Sequence, residues 1–237
     1  MLNATPALLL AARLRDAVSA LRFSGAVDTV YHPLEYAWPV HAEYLRRYAR
    51  RRARVLILGM NPGPFGMVQT GIPFGEVAVV RDWLGLSGAI TAPARQHAKR
   101  PVLGFACQRS EVSGRRLWGL LRARFGTAEA CFAEHLVANW CPLAFVTASG
   151  ANLTPDKLPG SEQAALAACC DAHLRDLLTA LDVEVCVGVG KIAAAAAERC
   201  GARRVVDCPH PSPANPAANR DWAGLATRAL VAGGVWT

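Results

Sequence analysis

Three polar side chains stand where an apolar run of the chain breaks into a turn. Asn61 follows "RVLILG" (54–59), Asn139 closes "HLVAN" (135–139), and His210 comes just after "RRVVDC" (203–208). A primary amide carries a donor and an acceptor but no charge, so it can orient a water or read a hydrogen-bonding edge without acting as a base. A histidine can donate to an atom on which negative charge develops. Each also has a plainer reading, as a side chain that caps a strand-exit turn or satisfies backbone there. Residue types and spacing alone leave both open.

Two of the surrounding segments are distinctive. "GMNPGPFG" (59–66) is glycine-rich after a strand, yet has neither the GxxxxGK[ST] spacing of a P-loop nor the GxGxxG of a dinucleotide site. "HPSPANPAANRDW" (210–222) is a proline-stiffened loop that runs into a helix, with Asn215 as N-cap and Pro216 in the first turn. Backbone N–H groups at such a helix start suit a phosphate. His32, His41, His97, His135 and His173 have no comparable setting and are expected to be structural or surface residues. The eight cysteines (107, 131, 141, 169, 170, 186, 200 and 208) include no CxxC and no Cys–His pair at zinc-ligand spacing. They read as small core residues in a reducing cytosol, with no metal and no cofactor implied.

The elements that must position these residues follow from periodicity. Short apolar runs at 54–59, 135–139, 183–190 and 203–208 are expected to be buried parallel strands. Helical spacing covers 5–22, 40–52, 113–125, 161–181, 191–200 and 216–232. The apolar N-terminal stretch lacks a basic start and carries Arg13, Arg15 and Asp16 within its pattern, so it reads as an amphipathic helix rather than a signal peptide. Segment 85–101 is the most loop-like. This alternation predicts one α/β domain over 1–237: a three-layer α/β/α sandwich around a mainly parallel four-stranded sheet. Function in such a sheet gathers beyond the carboxyl ends of the strands, where Asn61, Asn139 and His210 all fall.

A net charge of +8, carried mostly by arginine, suits a polyanionic partner, although an Arg- and Ala-rich codon usage gives the same balance. Arg46, Arg47, Arg50, Arg51, Arg52 and Arg54 cluster before the first strand, and read as a solvated helix face more readily than as a nucleic-acid track. No apolar stretch reaches the ~20 residues of a membrane span.

"GMNPGPFGMVQTGIPFGEV" (59–77) and "HPSPANPAANRDW" together resemble the two signature motifs of the single-strand-selective monofunctional uracil-DNA glycosylases. The resemblance continues through "YHPLEYAW" (31–38), "KRPVLG" (99–104), "SEVSG" (110–114), "NWCPL" (139–143), "NLTP" (152–155) and "VGVG" (187–190), and so covers most of the chain. It implies the uracil-DNA glycosylase fold in a bacterial-type, cytoplasmic and nucleoid-associated monomer. The implied activity is removal of uracil, and of oxidised pyrimidines such as 5-hydroxymethyluracil, from single- and double-stranded DNA, without a cofactor. By the same resemblance Asn61 positions the attacking water and His210 donates to uracil O2. Asn139 reads the base edge, Phe74 stacks on the base, and Met60, Gly63 and Met67 border it. Pro211, Ser212, Pro213, Ala214 and Asn215 form the DNA wedge, where Ala214 departs from the family's usual basic residue. Two other classes remain: a non-catalytic module that holds damaged or abasic DNA on the same fold, and a metabolic nucleotide-binding enzyme. The latter calls for a lysine or acidic ribose contact near the first loop, and none is seen.

Overall fold

Four short apolar strands build the frame. The computed structural model describes residues 5–49 and 52–237. In chain order the strands are β1 (Thr29–Tyr31), β2 (Val55–Gly59), β3 (His135–Asn139), β4 (Ala144–Val146), β5 (Asn152–Leu153), β6 (Val185–Val189) and β7 (Val205–Cys208). The central sheet has the order β3-β2-β6-β7 and is parallel throughout. β2 and β6 are fully buried, as expected of parallel strands covered on both faces. Register sets Gly59 beside Asn139 and Val189 beside Cys208, so all four strands end along one edge.

The helices are α1 (Pro6–Ser19), α2 (Pro33–Tyr36), α3 (Trp38–Tyr48), α4 (Met67–Thr70), α5 (Val77–Asp82), α6 (Val112–Phe125), α7 (Ala128–Phe132), α8 (Gly160–Ala180), α9 (Lys191–Arg199) and α10 (Pro216–Ala232). α1, α3 and α8 cover one face, where Ala11, Tyr44 and Leu177 meet Leu136. α6 and α10 cover the other, where Leu117, Leu121, Trp222 and Leu230 meet Ile57 and Val187. α9 lies directly on the sheet because Gly188 has no side chain: a Cβ there would come within 2.4 Å of Ala194 Cα. The expected three-layer α/β/α sandwich is present.

Differences from expectation lie in the short elements. β1, β4 and β5 form a small antiparallel sheet of order β1-β4-β5 that was not expected, since strands of two or three residues carry no readable period. The helix expected over 40–52 ends at Tyr48, and α1 ends at Ser19 rather than 22. Within α10 Asp221 leaves helical geometry (φ −157°, ψ 73°), and its Oδ1 accepts from Gly224 N at 2.8 Å. α10 is therefore a short first segment followed by a newly capped helix. No helix among the described residues is long and apolar enough to cross a membrane.

Candidate active site

The edge formed by the strand ends opens into a cleft of about 490 Å³ lined by residues of every loop that leaves it. Beyond the sheet the loops stay tied together. Trp140 N donates to Gly59 O and Cys141 N to Met60 O, both at 2.9 Å, and Gly190 N donates to Cys208 O at 2.8 Å. The loops after β2, β3, β6 and β7 thus continue the sheet's own hydrogen bonding.

Asn61, Asn139, Phe74 and His210 all line this cleft, with Met60 and Gly63. The Asn61 Nδ2 donates to Leu143 O at 3.4 Å, which turns its carbonyl oxygen to other use. Asn139 Nδ2 donates to the Met67 sulfur at 3.3 Å, and its Oδ1 is buried without a partner among the described residues. An unmatched buried acceptor costs ~1–3 kcal/mol, which makes it a strong selector for a donor that does arrive. Gly59 must be glycine here: a Cβ would lie 2.4 Å from Asn139 Oδ1 and 2.5 Å from the Phe74 ring.

Phe74 is held in the left-handed region (φ 53°), uncommon for an aromatic residue. Its carbonyl accepts from Trp118 Nε1 at 3.2 Å and from Glu76 N at 2.7 Å. Behind it the Thr70 hydroxyl bridges the loop, donating to Gly75 O at 2.9 Å and accepting from Ile72 N at 3.2 Å. Buried Gln69 uses its whole amide, donating to Pro64 O and Pro101 O and accepting from Leu103 N and Gly104 N. The loop of residues 60–76 is rigid for these reasons.

His210 packs against Gly190, where a Cβ would lie 3.2 Å from His210 Cβ. Ser212 N donates to His210 Nδ1 at 3.1 Å. Nδ1 is therefore the acceptor, and the ring proton of the neutral imidazole sits on Nε2. Burial holds the pKa below the ordinary histidine value, which favours that neutral form.

Several expected residues sit elsewhere. Met67 does not line the cleft. It is buried behind Asn139, with its sulfur against that amide. Pro211 is buried and its carbonyl accepts from Arg116 at 2.8 Å, so it anchors the loop and does not face outward. Asn215 is spent internally, Nδ2 on His210 O and Oδ1 on Ala217 N, both at 3.2 Å. Pro213 and Ala214 are exposed at the loop tip, and Ser212 lines the cleft. In the basic cluster, Arg46 and Arg47 pair with Glu43, Arg52 with Asp182 and Glu184, and Arg54 with Glu134. Arg50 and Arg51 lie outside the described residues.

Glu111 is the cleft residue that spacing did not reveal. It stands at the N-cap of α6 but makes no cap with its side chain. Instead its Oε2 accepts from Phe65 N at 3.1 Å, and a Cβ on Gly63 would come within 2.5 Å of that oxygen. Burial raises the Glu111 carboxyl above its ordinary range, opposed by the N–H groups of Phe65 and Gly66. Ser113, Asn152, Thr154 and Lys191 complete the polar lining. No group of three or more His, Cys, Asp or Glu that could hold a metal occurs among the described residues.

The chain belongs to the uracil DNA glycosylase superfamily, which it matches over residues 46–229. It is 48% identical to a single-strand selective monofunctional uracil DNA glycosylase of Bos taurus, over 92% of this chain and 82% of the relative. It is 46% identical to the corresponding Rattus norvegicus protein, over 92% and 80%. Its fold is similar to that of SMUG2 from Pedobacter heparinus, with a TM-score of 0.66 at 20% identity, covering 95% of this chain and 97% of the other.

Proposed function

We propose that the protein hydrolyses the N-glycosidic bond of uracil in DNA and leaves an abasic site. The observation that carries this is the meeting, in one cleft, of an unpaired amide acceptor on Asn139, the Phe74 ring and the Nε2–H of His210. The family and the names of the relatives agree with it.

The base must leave the stack to reach the cleft, which costs a few kcal/mol in a duplex and less in a single strand. Phe74 stacks on it. The Asn139 Oδ1 accepts from uracil N3–H and its Nδ2 turns from Met67 to O4. Cytosine presents the reverse pattern and leaves both atoms mispaired. As the bond to N1 breaks, the sugar gains oxocarbenium character and negative charge spreads to uracil O2. His210 Nε2–H meets that charge in a partly dry site, where such a donor is worth a few kcal/mol. The Asn61 carbonyl oxygen holds the water that adds to C1′ as the base departs, and needs no basicity because the leaving group goes early. With O2 at His210 and O4 at Asn139, uracil C5 turns toward the glycine-rich loop, where the Glu111 carboxylate fills the space that a Gly63 side chain would take. The proposed substrate range includes 5-hydroxymethyluracil, in single- and double-stranded DNA, acted on by a cytoplasmic monomer.

The test is a labelled uracil oligonucleotide, treated with protein and then alkali, beside the same experiment with Asn61→Ala. Wild-type protein should give strand scission. The variant should bind the oligonucleotide equally and lose most scission, by roughly a hundredfold or more if the water is no longer oriented. Binding without scission by the wild-type protein would point instead to a non-catalytic module.

A further inference from the structure

Phe65 stands at the lip of the cleft, next to Pro64, which lines it, and tethered through its N–H to Glu111. Two guanidinium groups lie against its ring. Arg109 Cζ is 3.8 Å from the ring centroid and Arg100 Cζ is 5.2 Å from it. Arg100 is fixed a second time, Nε donating to Gly150 O at 2.8 Å. Arg109 is exposed and Arg100 half-buried. Neither belongs to an ion pair among the described residues, in contrast to Arg46, Arg52 and Arg54. That paired cluster is also at the wrong end of the sheet. Arg54 precedes β2 and the cleft follows it, and a five-residue strand spans about 16 Å.

An aromatic face holds a guanidinium in a fixed plane while leaving its N–H edge open. Two guanidinium groups on one ring, neither in an ion pair among the described residues, suit anionic oxygens on a flexible chain. They sit at the mouth of the site into which a nucleotide must swing, so the anion is the phosphodiester backbone rather than a free phosphate or a lipid surface. We propose that Arg100 and Arg109, planted on Phe65, clamp the phosphates of the strand beside the extruded nucleotide. The inference rests on the reading that DNA lies across this cleft. The clamp reads no sequence and acts on single strands and duplexes alike.

The experiment measures affinity for a single-stranded oligonucleotide carrying a stable abasic analogue, as a function of salt, in wild type, Arg109→Ala, Arg100→Ala/Arg109→Ala and Arg46→Ala. Removing one arginine–phosphate pairing should flatten the slope of log affinity against log salt by about 0.7. Arg109→Ala should therefore flatten it by about 0.7 and the double variant by about 1.4. Arg46→Ala should match wild type. Single-turnover uracil release with enzyme in saturating excess should stay unchanged in Arg46→Ala, whose exposed side chain pairs with Glu43 away from the cleft. If the Arg100 and Arg109 variants keep the wild-type slope, the clamp is wrong although DNA binding stands. If Arg109→Ala slows release at saturation with the slope intact, the residue acts inside the site and the clamp is equally wrong. A wild-type affinity that does not respond to salt would overturn the reading of the cleft and the clamp together.

Discussion

Which nitrogen of His210 carries the proton is decided by a backbone amide two residues on. Ser212 N points at Nδ1, so the ring must keep Nδ1 bare and Nε2 protonated. Protonating Nδ1 would set two donors against each other and would charge a buried ring. Both effects push the pKa down, in the direction that burial gives. Base release should therefore stay level as pH falls from 8 through the ordinary histidine range, and decline only below it. The check is a single-turnover rate profile from pH 8 to 5, with His210→Asn beside it. An acid limb centred at pH ~6.5 or above that disappears in the variant would show that the ring is not held neutral. The positions of His210, Asn61 and Asn139 at the cleft were legible because each stands at or just after the end of an apolar run. Glu111 was not, because its contact with Phe65 spans 46 positions and replaces the local cap that its place predicts. The resemblance set Met67 beside the base, and the fold shows it buried at the back of Asn139.

α6 positions the site without contributing a reacting group. Its first turn carries Glu111 against the loop after β2, and Gly114 against Phe74, where a Cβ would lie 2.0 Å from the Phe74 carbonyl oxygen. Gly119, five residues along the same helix, has nothing within 4 Å of its Cβ position. Helix propensity predicts the same outcome for Ala at both, a gain of up to ~1 kcal/mol. The packing predicts opposite ones. Gly119→Ala should raise the unfolding midpoint and leave excision unchanged. Gly114→Ala should lower the midpoint and reduce excision at least tenfold, because the helix must move off the Phe74 backbone or Phe74 must leave its strained turn. Chemical denaturation of the two variants with uracil release alongside is the measurement. Equal behaviour would mean that α6 merely packs. The long strands and helices were readable from their periods, with ends off by a few residues. The small antiparallel sheet and the break at Asp221 were not, since they depend on pairings and caps formed only in three dimensions.

The molecule as a whole encloses four histidines remote from the reacting groups, His32, His41, His135 and His173, and burial lowers the pKa of each. Burial lowers His41, His135 and His173 to about 4 each. Each is largely enclosed: His41 Nδ1 meets Gly71 O at 2.7 Å, and His135 lies between Cys131 O and Trp236 Nε1. The unfolded chain takes up these protons near pH 6.5 and the folded one not until about 4. Protonation therefore favours the unfolded chain progressively across that window, and stability is full only above it. The unfolding midpoint should be level from pH 8 to 7 and fall steadily between 6.5 and 4. It should fall further below that as carboxylates such as Asp171, which burial would raise but Arg199 holds low, are neutralised. A thermal series at constant ionic strength tests this. A midpoint that holds from pH 7 down to 4 would show that the three rings are not kept neutral by the core.

The orphaned oxygen of Asn139 sets the demands of persistence and of discrimination against each other. That acceptor is buried with no partner among the described residues, and a ring bearing N3–H supplies one. Leu repeats the branching of the Asn side chain and brings no acceptor. Asn139→Leu should thus yield a protein that melts later, by about 1 kcal/mol or more, and that no longer favours uracil over cytosine. Any search for hardier variants of this protein by heat alone would be drawn to this position and would return molecules that endure without choosing.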